Sequence, residues 1–154
     1  MTKVFDNNRL EFPISDETRV DFEFRGKKQV INGESATGKS LIFKTLEQII
    51  SDNNAGADDV DATDIILIDK KDNDGTIADK LKRNHNKLII IDRADILLDE
   101  EAVKIINCNM EGNTYLIFAR GGLGLSLSPN YYAELINDNG VLKLKWEFSE
   151  KGWF

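Results

Sequence analysis

Gly33-Glu34-Ser35-Ala36-Thr37-Gly38-Lys39-Ser40 follows the spacing G-x-x-x-x-G-K-[ST]. Before it, Lys28-Gln29-Val30-Ile31-Asn32 reads as a short strand. After it, Ile42, Leu46, Ile49 and Ile50 fall at i, i+4, i+7 and i+8, one face of a helix running from Ser40 to the polar cluster Ser51–Gly56. A strand that passes through a glycine-bounded loop into a helix lets backbone N–H groups converge on an anion, and the positive end of the helix adds to the attraction. Gly33 and Gly38 permit the backbone conformations this needs. Lys39 supplies a cation for the outer phosphates of a nucleotide, and the Ser40 hydroxyl is placed to ligate Mg²⁺. An ordinary glycine-rich turn accounts for the glycines but not for the lysine and serine after Gly38.

Upstream, Leu10, Phe12 and Ile14, then Val20, Phe22 and Phe24, repeat at period two, as half-buried antiparallel strands do, with Asp6-Asn7-Asn8 and Arg25-Gly26-Lys27 as turns. Downstream come three uninterrupted apolar runs, Ile65–Ile68, Leu88–Ile91 and Tyr115–Ala119, which suit strands buried on both faces. Helix-length stretches, Thr76–Asn84 and Asp99–Asn107, separate them, so the middle of the chain reads β-α-β-α-β. The end returns to alternation: Ala133–Ile136, a turn at Asn139-Gly140, then Leu142, Leu144, Trp146 and Phe148, a hairpin expected to close the sheet.

The chain has 154 residues, 41% hydrophobic and 31% charged, which suits one globular domain with a core of ordinary size. The net charge of −7 disfavours nucleic acid and anionic lipid as partners. Cys108 is the single cysteine and His85 the single histidine, so neither a disulfide framework nor a multi-cysteine or multi-histidine metal site can be built. With no membrane-length apolar run and no signal-like N-terminus, a cytoplasmic location is expected. Asp52, Asp58, Asp59, Asp61 and Asp64 lack the pattern of a calcium loop and read as a solvated acidic loop. Lys80, Lys82, Arg83, His85 and Lys87 form the one basic cluster, read as the solvated face of a helix and its exit. Trp153 and Phe154 are expected to pack on the terminal hairpin.

On Gly33–Ser40, the Walker A pattern, and Leu88-Ile89-Ile90-Ile91-Asp92, a Walker B-like apolar strand ending in an aspartate, the chain resembles the P-loop NTPases. The antiparallel N-terminal strands resemble the β-layer of ABC-type ATPases, and the element count suits the ABC and AAA-like branch, which places an extra strand between the Walker A and Walker B strands. The resemblance implies an α/β fold, a mainly parallel sheet flanked by helices, with an antiparallel N-terminal β-layer (1–27), a core (28–120) and a loop plus C-terminal β-hairpin (121–154). It implies ATP and Mg²⁺ as cofactors, bound by Gly33, Glu34, Ser35, Ala36, Thr37, Gly38, Lys39, Ser40 and Leu41, with Ser40 and Asp92 on the metal side.

Departures from the pattern bear on activity. In that branch a glutamate that polarises the attacking water follows the Walker B aspartate, and here the residue is Arg93. Asp95 is a candidate substitute, and Arg93 is either an ion-pair partner of Asp95 or Asp92 or a group that meets the γ-phosphate of a neighbouring subunit. Arg120, after the next apolar run, stands at the sensor position, as a γ-phosphate contact or a surface arginine; the catalytic candidates are therefore Lys39, Asp92, Asp95 and Arg120. An L-S-G-G-Q signature, an arginine-rich lid and a guanine-reading N-K-x-D are absent from the sequence. The resemblance thus implies an ATP-binding protein that is a slow or partner-stimulated ATPase or, alternatively, a non-hydrolysing nucleotide switch, with a small-molecule kinase ranked behind both. A protein partner or self-association is expected.

Overall fold

The computed structural model describes residues 2–32, 38–56, 60–69, 75–120, 124–125, 127 and 129–147. Eleven strands and four helices lie among them. The strands are β1 (Thr2–Lys3), β2 (Phe5–Asp6), β3 (Arg9–Pro13), β4 (Arg19–Glu23), β5 (Lys28–Asn32), β6 (Val60–Asp61), β7 (Ile65–Ile68), β8 (Leu88–Ile91), β9 (Thr114–Ala119), β10 (Tyr132–Asp138) and β11 (Val141–Trp146). The helices are α1 (Lys39–Asn54), α2 (Ile77–Arg83), α3 (Ala94–Leu97) and α4 (Glu100–Cys108).

Nine strands form one sheet in the order β2-β3-β4-β11-β10-β5-β9-β8-β7. This corrects the expected architecture of a mainly parallel sheet flanked by helices with a separate N-terminal layer. The sheet is mixed and continuous: β2-β3, β3-β4 and β10-β11 are antiparallel, while β4-β11, β10-β5, β5-β9, β9-β8 and β8-β7 are parallel. Three of the helices have only four to nine residues. The C-terminal hairpin does not close an edge. It lies in the middle, where β11 pairs with β4 and β10 with β5, so that the N-terminal strands and the P-loop strand belong to one surface. Alternating apolarity places residues on a face, but it carries no information about which neighbour a strand takes.

The two edges are joined. β1, one residue ahead of β2, pairs in parallel with β6, three residues ahead of β7, and Val4 N–H donates to the Asp61 carbonyl at 3.0 Å. The sheet is thereby curled into a nearly closed, barrel-like form around α1. Ile42, Phe43 and Leu46 of α1 share one core with Leu10 and Phe12 of β3, Val20 and Phe22 of β4, Leu88 and Ile90 of β8, Leu116 and Phe118 of β9, and Leu142 of β11. The Phe43 and Phe118 rings meet edge-on at 5.3 Å between centroids. On the other face Ile89 and Ile91 of β8 and Tyr115 and Ile117 of β9 pack against Leu81 of α2, Ala94 of α3 and Ala102 and Ile106 of α4. Every residue of β8 and β9 is buried. Period two thus distributes each uninterrupted run between two cores.

Local chemistry sets the element ends. Thr76 and Asp99 cap α2 and α4, accepting from the N–H groups of Asp79 and Ala102. Asn7 and Asn8, both at positive φ, make the tight β2-β3 turn, and Asn139 with Gly140 makes the β10-β11 turn. Gly140 has φ +91°, and a Cβ there would stand 2.3 Å from the Glu17 carbonyl oxygen. On the solvent side of β3 and β4 the Arg9 guanidinium grips Asp21 at 2.7 and 2.6 Å, with Arg19 paired to Glu11 beside it. No helix among the described residues is long and apolar enough to cross a membrane.

Gly140→Ala is expected to cost about 1–3 kcal/mol, because it adds both strain at positive φ and a backbone clash; urea denaturation checks this, and an unchanged midpoint would sink it. The hydrogen bonds from Arg9 hold the Asp21 carboxyl below the ordinary carboxylate range. A depressed folded-state pKa stabilises above the unfolded value of about 3.9 and is lost as pH falls through the folded value. The stability gap between wild type and Asp21→Asn should therefore be open at neutral pH and narrow in acid below that range, as pH-dependent denaturation will show.

Candidate functional site

The parallel strands β5, β8 and β9 end on the same edge of the sheet, with β9 between the other two. Loops and helix starts gather at that end of the strands, while the faces of β8 and β9 are sealed by apolar packing. β5 leads through residues 33–37 to α1. Gly33, Glu34, Ser35, Ala36 and Thr37 lie outside the described residues, and the described part of the candidate binding segment is Gly38 to Leu41.

Gly38 begins α1 with φ +113°, and its carbonyl accepts the Ile42 N–H at 2.9 Å. A Cβ at Gly38 would sit 3.2 Å from Leu142 Cδ1, so β11 packs against the loop's last glycine and holds the helix start close to the sheet. Among the described residues no side chain caps α1, and its first turn carries no acidic residue. The first N–H groups of a helix have no partner within the helix itself, and its dipole places positive charge at that end. Ser40 and Leu41, two residues into the helix, are exposed, Leu41 to 51%.

Lys39 turns toward β8. Its Nζ lies 3.1 Å from Oδ1 of Asp92, the residue just beyond the strand, whose N–H is held by the Ile68 carbonyl at 2.9 Å. Both side chains are about three-quarters buried, exposed to 23% and 27%. Asp92 Oδ1 itself is buried and receives no well-directed hydrogen bond among the described residues, so the ammonium meets it as a charge rather than as an aligned donor. A buried carboxylate oxygen that meets, among the described residues, only the ammonium of the lysine opening α1 has the chemistry to take a hard divalent cation. Mg²⁺ is ordinarily held by one or two protein oxygens and completes its shell with phosphate and water, and Asp92 and Ser40 are of that kind. Lys39 and Asp92, more than fifty positions apart in the sequence, are thus brought together.

Arg93 and Asp95 form a second ion pair at the same edge. Arg93 stands at φ +54° as the first residue before α3. Its Nε and Nη2 reach Asp95 Oδ1 and Oδ2 at 3.4 and 3.2 Å. Asp95 Oδ1 also accepts the Arg120 N–H at 3.4 Å, so the carboxylate bridges the ends of β8 and β9. These bonds, the one from Arg93 first, hold the Asp95 carboxyl below its ordinary range. The Arg120 side chain is exposed at the end of β9. The bridge is not legible in the sequence beyond the Arg-x-Asp spacing, and α3, which sets it, has no sequence signal of its own.

Other sequence candidates disperse. Lys82 pairs with Glu101 and Lys87 with Asp64, which breaks up the basic cluster. Asp61 accepts from the Thr63 N–H and hydroxyl, while Asp58 and Asp59 lie outside the described residues, as do Phe148, Trp153 and Phe154. A cleft of about 580 Å³ lined by Lys3, Asp6, Asn7, Arg9, Glu11 and Glu23 surrounds the β2-β3 turn. A smaller one beside it reaches Lys27, Asn86 and Thr114, at the opposite ends of the parallel strands.

A double-mutant cycle on Lys39→Ala and Asp92→Ala should return a coupling of about 0.5–1 kcal/mol in ligand-free stability, the range of a partly exposed ion pair. Additive effects would show that the contact carries no energy.

No protein-family model matches the chain, and no curated protein and no solved structure matches it either.

Proposed function

We propose that the chain binds Mg-ATP at the edge formed by Gly33–Leu41 and Asp92, in the manner of the P-loop NTPases, and is a slow or partner-stimulated ATPase. The observation that carries this is the meeting of Lys39 and Asp92 at 3.1 Å, with Lys39 the first residue of α1. In this reading Lys39 gives up Asp92 for the outer phosphates, and the N–H groups at the start of α1 receive phosphate oxygens. Bound Mg²⁺ would neutralise phosphate charge, with Ser40 and Asp92 on its protein side. Arg120, at the end of the strand between the two motifs, is the candidate contact to the γ-phosphate, since a guanidinium matches phosphate oxygens bidentately. ATP is favoured over GTP because the sequence has no guanine-reading motif. The protein acts in the cytoplasm, with a protein partner or a second copy as its regulator, and not on nucleic acid, which the net charge of −7 repels.

A second reading, a nucleotide-binding switch that hydrolyses little, is favoured by a specific observation: the position that would carry a water-polarising glutamate is Arg93, and the nearby carboxylate of Asp95 is engaged by it. P-loop enzymes whose transition state lacks an arginine finger turn over at rates on the order of 10⁻⁴ to 10⁻³ s⁻¹.

Calorimetric titration with ATP and with GTP, each with and without Mg²⁺, tests the proposal. The wild type is expected to bind Mg-ATP, and Lys39→Ala to bind it roughly 10- to 100-fold more weakly, the value of a lost charge-assisted contact. A folded wild type that takes up neither nucleotide would overturn it.

A further inference from the structure

We infer that Arg93 is a built-in brake on hydrolysis, a positioning residue that holds Asp95 away from the work of a general base. The inference rests on the Mg-ATP reading and adds to it the regulation of the same site. The geometry is specific. β9 lies between the strands that end in the phosphate loop and in Asp92, and Asp95 is fastened to the end of β9 through the Arg120 N–H. Asp95 is thereby tied to the ends of β8 and β9, at the same end of the parallel strands as the Lys39–Asp92 pair. Both of its oxygens are nevertheless occupied, Oδ1 by Arg93 Nε and the Arg120 N–H and Oδ2 by Arg93 Nη2.

The backbone pays for this arrangement. Arg93 occupies the left-handed region at φ +54°, where an arginine is uncommon and a glycine or asparagine ordinary, and that conformation begins α3, which carries Asp95 in its first turn. The pair is partly shielded, the two side chains being exposed to 29% and 21%. A base must accept a proton, and a carboxylate whose lone pairs face a guanidinium is a weak acceptor.

With Asp95 released, the step balances without a further reagent. The oxygen of water bonds to the γ-phosphorus as the bond to the β,γ-bridging oxygen breaks, ADP leaves with that electron pair, and one water proton passes to the Asp95 carboxylate, which returns it to solvent. A partner that supplies a carboxylate or phosphate to Arg93 would draw the guanidinium off and start turnover. An acidic protein segment has the required chemistry.

Three variants test the inference: Arg93→Gln, which keeps the length and removes the charge; Arg93→Gly, which removes the side chain and relieves the left-handed backbone; and Arg93→Gln combined with Asp95→Asn. In the ligand-free protein, the Asp95 carboxyl carbon followed by NMR should titrate at higher pH in Arg93→Gln than in wild type. Mg-ATP affinity, measured by calorimetry, should stay within about twofold. Single-turnover hydrolysis should rise about tenfold or more in both single variants, within the range that general-base catalysis supplies, and fall back in the combined one. An Asp95 titration that does not move overturns the brake. So does turnover in Arg93→Gln and Arg93→Gly no higher than wild type while both bind Mg-ATP, or a fast combined variant. A wild type that binds no Mg-ATP overturns the nucleotide reading itself and the brake with it, whereas binding with unchanged turnover overturns the brake alone.

Discussion

Strands β8 and β9 carry side chains that can face water on neither side, and the rest of the molecule is arranged around that constraint. Their edges must be paired, which recruits β7 and β5, and their faces must be covered, which places α1 on one side and α2, α3 and α4 on the other. Gln29, fully buried in β5, shows how strict the accounting is: its side chain accepts the Gly26 N–H and donates to the Tyr115 carbonyl, leaving neither end unpaired. With both faces of β8 and β9 sealed in this way, the polar residues that follow these strands collect at their ends. Asp92, Asp95 and Arg120 are therefore neighbours because β8 and β9 are apolar throughout.

The charge pattern at that edge has its own logic. In a chain of net charge −7, two carboxylates at neighbouring strand ends would repel each other in a partly desolvated setting. Each is matched instead by one cation, Asp92 by Lys39 and Asp95 by Arg93. The two matches differ in kind. Lys39 is a point charge on a flexible stem and can change partners with little rearrangement. Arg93 is a planar fork that contacts both oxygens of its carboxylate, so releasing it requires a competitor of similar geometry. One pair suits exchange with a ligand; the other suits restraint.

Signals within reach of one turn or one hairpin were legible in the sequence. The Ile42-Leu46 spacing marks the buried face of α1, Thr76 and Asp99 mark helix starts, and Asn139-Gly140 marks a hairpin turn, each within a residue of what is observed. The three apolar runs are all strands. What failed was the architecture: the separate antiparallel layer and the mainly parallel sheet are one mixed sheet, with the C-terminal hairpin inserted at its centre and β1 and β6 joining its edges. β10 and β11 each offer two hydrogen-bonding edges, and nothing in their alternation specifies β4 and β5 as neighbours rather than solvent.

The candidate site divides along the same line. By itself the sequence determined the G-x-x-x-x-G-K-[ST] spacing of Gly33–Ser40 and the apolar strand ending in Asp92 with Arg93 after it, because these depend on residue type at short separation. Only the tertiary structure decided that Lys39 meets Asp92 across more than fifty positions, that Leu142 of the terminal hairpin supports Gly38, and that Asp95 is tied to both Arg93 and the end of β9. Those contacts depend on which strands pair and on a left-handed residue at the head of a four-residue helix, and strand pairing over long separations is set by the cooperative burial of the whole sheet.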